Sequence, residues 1–159
     1  MPSLQTNLIT MRFLEASHGS PLYQAAVELR TESLRQPLGL TFSDDQLAEE
    51  VNDYHIVAID SDHDDPAAMV ACLTLSPVPG HPTQLHLRQM AVAKSERRKG
   101  VGSQLMDFAE NFARARDITE IKLHSRYHAI PFYQKIGYHP VGDPFIEVTL
   151  PHQEMRKSL

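Results

Sequence analysis

The sequence predicts an α/β fold in which helices pack on a mixed sheet. Three observations carry that prediction. The stretch from Leu85 to Met106, LHLRQMAVAKSERRKGVGSQLM, begins with period-two alternation and ends with helical spacing. The chain before it is rich in short apolar runs separated by polar turns. The chain after it alternates strand, helix and strand. Neither a repeat nor a linker interrupts the 159 residues, so residues 1–159 are expected to form one domain around a single core.

In order, Leu8 to Leu14 is a short strand candidate. Pro21 to about Leu34 has helical spacing, with Ser20 placed as N-cap and Pro21 at the first helical position. Leu22, Ala26, Leu29 and Ser33 mark its inner face, with Arg30 and Arg35 off it. Pro37-Leu38-Gly39 ends the helix. Ser43 to Val51 is a second helix, capped by Ser43 and acidic in its first turn. Strands follow at Tyr54 to Ile59 and Met69 to Leu75, joined by an acidic turn and stopped by Pro77, Pro79 and Gly80. In the central strand, Leu85, Leu87, Gln89, Ala91 and Ala93 are expected on one face and His86, Arg88, Met90 and Val92 on the other. Val101, Leu105, Phe108, Ala109 and Phe112 then recur at helical spacing from Gly100 to about Arg116. Thr119 to His124 reads as a strand, His128 to Ile136 as a short helix ended by Gly137, and Tyr138 to Val141, Phe145 to Leu150 and His152 to Met155 as extended.

Between the central strand and its helix lies Arg97-Arg98-Lys99-Gly100-Val101-Gly102. The first N–H groups of a helix have no intrahelical partner and carry the positive end of the macrodipole. Glycines admit close approach to the backbone, and three cations add attraction. Such a turn suits a phosphate or pyrophosphate. A dinucleotide fingerprint fails because position 105 is Leu, and a P-loop fails for want of a glycine at the required distance before the basic run. The remaining pattern, R-x-x-G-x-G, resembles the acetyl-CoA signature of the GNAT N-acetyltransferases. The run Ala129-Ile130-Pro131-Phe132-Tyr133-Gln134-Lys135-Ile136-Gly137-Tyr138 is similar to that family's A-x-x-F-Y-x-K-x-G-F/Y segment. The element order resembles a complete GNAT domain. Phe145, Glu147, His152 and Met155 resemble a tail found in one branch of small bacterial members.

The resemblance implies a mostly antiparallel central sheet, helices on both faces, and a splay between the central strands that receives the pantetheine arm. It implies main-chain contacts from Met90 and Val92, an oxyanion site at the N–H groups around Ala91, and a pyrophosphate site on Arg97, Arg98, Lys99, Gly100, Val101, Gly102 and Ser103. Phe132 would stand beside this cofactor site or serve as sheet packing, and Tyr133 would be the acid that protonates the departing thiolate. The implied reaction moves an acetyl group from acetyl-CoA, as cosubstrate, to a primary amine by direct attack through a tetrahedral intermediate. An acyl-CoA sensor with little transfer, and an unrelated nucleotide-phosphate module, are the competing readings. For the base, His124, His86 and Glu32 are candidates beside a water chain.

A net charge of −5 argues against broad nucleic-acid binding and weakly favours a cationic acceptor. The resemblance implies that the acceptor, a small molecule or a protein amine, is contacted by residues 30–45 and 140–151. Cys72, the single cysteine, lies in an apolar run and reads as a buried hydrophobe. His124 and His128 span a strand end and a loop, and His63 lies among Asp62, Asp64 and Asp65 without the glycine or closing Glu of a calcium loop, so no metal is expected. No long apolar span or leader is evident, which predicts a cytoplasmic protein without membrane contact. Homodimers are common in the family that the chain resembles, and the sequence leaves the oligomeric state open.

Overall fold

The structure, a computed structural model, describes residues 11–159; positions 8–10 of the first strand candidate lie outside the described residues. Strand β1 (Met11–Ala16) pairs antiparallel with β2 (Tyr54–Asp60), β2 with β3 (Met69–Val78), and β3 with β4 (His81–Val92). β4 pairs parallel with β5 (Glu120–Arg126), and β5 antiparallel with β8 (Leu150–Ser158). The short strands β6 (His139–Pro140) and β7 (Phe145–Glu147) both pair with β8. The sheet is therefore mixed and mostly antiparallel, in the order β1-β2-β3-β4-β5-β8-β6.

Helices cover both faces. Leu22 and Ala26 of α1 (Pro21–Arg30) pack on Val57, Ile59, Cys72 and Ala91. On the other face Val101, Leu105, Met106, Ala109 and Ala113 of α3 (Val101–Arg114) pack on Ile56, Leu73, Leu85, Leu87 and Ile121. Tyr133 of α4 (Ile130–Lys135) joins this layer. Cys72 is buried and its Sγ–H points at the Ala26 carbonyl; burial pushes the thiol up to about 12. Among the described residues no helix is long and apolar enough to cross a membrane.

Several boundaries differ from expectation for physical reasons. Ser20 and Ser43 do cap their helices, their hydroxyls accepting from the Tyr23 and Gln46 N–H groups. α1 ends at Arg30, however, and continues as a widened π-type turn over Thr31–Arg35, in which the Gln36 N–H reaches back to the Thr31 carbonyl. The second helix, α2 (Asp44–Ala48), tightens into a 3₁₀ turn over Glu49–Asn52. Strand β3 runs through Pro77, because the flanking pairing with β2 starts only at Tyr54 and Leu75 and leaves Pro77 outside that ladder. β8 continues past Met155 to Ser158, since β5 offers a partner along that whole length.

The largest correction concerns β4. Cys72 pairs with Ala91 but Thr74 pairs with Arg88, so three steps along β4 answer two along β3. The extra residue is a bulge in which Gln89 takes φ +57°. Alternation resets there. Leu85, Leu87, Met90 and Val92 all join the α3 layer, whereas Ala91 joins the α1 layer. Strict alternation, which would group Gln89 and Ala91 with Leu87, does not hold.

Candidate active site

The pairing of β4 with β5 stops at Leu87 and Leu123. From there β4 follows β3 to the pair Val92–Ala71, while β5 follows β8 to the pair Arg126–His152. The two central strands part, and the wedge between them opens next to the bulge. The concavity lined by Val78, His81, Gln84, Glu120 and Lys122 is elsewhere, at the paired end of these strands.

The basic turn borders the wedge. Arg97 is extended, Arg98 has φ +67°, and Gly100 has φ +82° at the N-cap of α3. No side chain caps the first turn of α3, and that turn holds no acidic residue. Its N–H groups therefore face outward beside exposed Arg98 and Lys99. Gly100 supplies the left-handed backbone, and nothing lies within 4 Å of where its Cβ would be. Gly102 does something else. A Cβ there would sit 3.4 Å from both Met90 Cε and Phe132 Cζ, so its smallness lets the helix start pack on those two side chains. Val101 is buried and Ser103 half-buried. Arg97 Nε donates to the Val92 carbonyl at 3.2 Å, and Lys99 pairs loosely with Glu96 at 3.8 Å.

Tyr133 is buried, and its hydroxyl donates to Met90 Sδ at 3.5 Å. Burial holds the phenol well above its usual range, so it stays protonated at neutral pH. Phe132 is half-buried with its ring edge-on to Tyr133, and Lys135 is exposed. Phe132 thus stands between the start of α3 and the Tyr133 ring. The glycine that ends this run, Gly137, has φ +102° and lies under Lys157, which reaches over it to buried Glu110 at 2.6 Å.

The structure brings His86 and His124 together, with ring centroids 4.6 Å apart across β4 and β5. Their environments differ. Burial, then the charges of His124, Arg88 and Lys122, push His86 down to about 3, leaving it neutral and a weak base. His124 has a carboxylate at each ring nitrogen: Glu147 at 3.1 Å from Nδ1 and Glu154 at 3.7 Å from Nε2. Phe145 packs edge-on against it at 4.9 Å. Glu147 and Glu154 lie far from His124 in sequence; the tail pattern includes Glu147, and no signal in the sequence marks Glu154. Glu32 sits exposed on the turn after α1.

Arg30 corrects the helix-face reading. It is on the buried face, one turn after Ala26, and only 2% exposed. Its Nη2 donates to both oxygens of Glu50 at 2.6 and 2.7 Å, and Tyr23 donates to the same carboxylate at 2.8 Å. This network fastens α1 to the 3₁₀ turn before β2 and removes Arg30 from any acceptor surface.

The comparisons agree with this fold. The acetyltransferase (GNAT) domain family matches residues 28–159. The Bacillus subtilis N-acetyltransferase YjcF, itself uncharacterised, is 33% identical over 73 residues, which is 45% of this chain and 52% of that protein. The chain spans about half the length of the curated relatives it matches, 49% in the case of another acetyltransferase-like B. subtilis protein that is 32% identical over 72 residues. Among solved structures, a Lactobacillus plantarum protein provisionally described as an N-acetyltransferase superposes with a TM-score of 0.79 at 25% identity, covering 94% of this chain and 99% of that one. An aminoglycoside 6′-N-acetyltransferase complexed with coenzyme A has the same fold, with a TM-score of 0.72 at 18% identity and coverage of 92% and 96%. With a family match over residues 28–159 and the same overall fold, the chain belongs to the GNAT acetyltransferase family.

Proposed function

We propose that this protein transfers an acetyl group from acetyl-CoA to a primary amine. The observation that carries this reading is the wedge between β4 and β5, with the uncapped, cationic start of α3 and the Tyr133 hydroxyl both meeting Met90 of β4 beside it. The Arg97–Gly102 backbone and Ser103 would hold the pyrophosphate. The β4 edge at Met90 and Val92 would bind the pantetheine amides as an added strand does, with Arg97 giving up the Val92 carbonyl. The N–H groups near Ala91 would face the thioester oxygen, where preorganised donors act on developing charge.

Two proton movements remain. His124, oriented by Glu147, takes a proton from the acceptor's ammonium so that the neutral amine attacks the thioester carbon, because His86 beside it is too weak a base. Tyr133 gives its proton to the departing thiolate. Its present partner is a thioether sulfur, so the hydroxyl is already aimed at the kind of atom it would protonate. Calorimetric titration with acetyl-CoA, CoA and ATP tests the cosubstrate. Saturable binding of both thioester and thiol forms but not ATP is expected, followed by thiol release with a panel of amines. No binding of any CoA species would overturn the reading.

A further inference from the structure

The face of the wedge turned towards α1 carries three arginines that the reaction above leaves unused. Arg88 is the first residue of β4 beyond the last β4–β5 pair, and Arg126 ends β5. Alternation puts them on the same face as His86 and His124. Arg126 reaches across to the turn after α1, where its Nη2 donates to the Leu34 carbonyl at 2.8 Å. That bond sets its guanidinium beside the next residue, Arg35. Arg35 lies 4.6 Å over the Phe42 ring, and its Nε is buried without a hydrogen-bond partner. Among the described residues none of the three forms an ion pair, although ion pairs engage many of the chain's other cations. Arg35 is depressed by burial and then by the charges of Arg126, Arg30 and Arg88. Arg30 is neutralised by Glu50. The acid whose charge reaches Arg35 is Glu147, which is already bonded to His124.

Like charges gathered on a partly buried surface repel one another until an anion meets them, and guanidinium groups match carboxylate and phosphate oxygens in both charge and shape. We propose that the acceptor amine carries an anionic group, a carboxylate or a phosphate, which Arg35, Arg88 and Arg126 hold while the amine lies towards His124 and Glu147. The inference rests on the transferase reading and gives it a substrate class. It also opposes the weak pull of the −5 net charge, because the field at the wedge is set by the nearest groups.

Matched acceptor pairs test it by thiol release at equal free-amine concentration: phenylalanine and alanine against their α-carboxamides, and O-phosphoethanolamine against ethanolamine. At least one anionic member should exceed its neutral counterpart about tenfold or more in kcat/KM, mainly through KM. The carboxylate and phosphate pairs tell the two anions apart. Arg35→Gln and Arg88→Gln should each shrink that ratio while the calorimetric affinity for acetyl-CoA holds; Arg88 is exposed and its replacement spares the packing at Leu34. If acetyl-CoA binds but no anionic amine outperforms its neutral partner, this proposal falls and the transferase reading stands. If acetyl-CoA does not bind, the transferase reading falls first.

Discussion

Tyr133 offers the most direct test at the level of single residues. Removing its hydroxyl leaves the ring packing against Phe132 and Tyr138 in place. Tyr133→Phe should therefore lower turnover at least about tenfold, with CoA affinity nearly unchanged, as steady-state kinetics and calorimetry would report. Unchanged turnover would remove Tyr133 from the mechanism. His86 gives a stability prediction whose sign follows from its environment. An unfolded imidazole protonates near 6.5, whereas the folded one waits until about 3. Between those values the unfolded state binds more protons, so stability falls as pH falls across that window. His86→Gln should flatten this part of the curve of urea midpoint against pH. The curve is not expected to become flat, because burial lowers His55 in the same direction.

At the scale of elements, the Arg30–Glu50–Tyr23 network and the β7–β8 hairpin make opposite predictions. Glu50→Ala leaves a nearly inaccessible guanidinium without its counter-charge, and should cost about 3–5 kcal/mol in denaturant unfolding. The hairpin turn places Val148 and Thr149 at φ +48° and +63°, a region that β-branched residues avoid. Replacing the pair with Asn-Gly, which prefers that geometry, should raise stability by about 1 kcal/mol if the loop carries no function. A gain in stability accompanied by a loss of turnover would instead tie the strained turn to the placing of Glu147. The elements were legible in the sequence to differing degrees, for local reasons. Helix α3 was readable because its periodicity, its glycines and the preceding strand all lie within one stretch. The Ser20 and Ser43 caps were readable because a cap acts over three residues. The bulge at Gln89 was not, although the polar pair Arg88-Gln89 breaks the alternation of LHLRQMAV, because only the register against β3 fixes which residue is the extra one. The arginine group was equally hidden, because Arg35, Arg88 and Arg126 come from three elements that meet only when the sheet forms. The same holds for His124 and its two carboxylates.

For the molecule as a whole, the two layers of the core hold the outer pairs of strands together while β4 and β5 stay apart at one end. A ligand that fills this wedge binds only the folded state. Acetyl-CoA at about 100 times its dissociation constant should therefore stabilise the protein by about 2.7 kcal/mol, read as a concentration-dependent rise in Tm. ATP at the same concentration should leave Tm where it was. The bulge in β4 also bears on how this chain tolerates insertions and deletions. Loss of Gln89 alone would restore an unbroken zigzag. Everything after it, from Met90 to the turn that opens α3, would keep its face, because Arg88 already lies on the α1 side and Met90 on the α3 side of the extra residue. A single-codon deletion at Gln89 would thus straighten the strand with its faces kept, whereas loss of Met90 with the bulge retained would deliver Ala91 to the layer that now receives Met90.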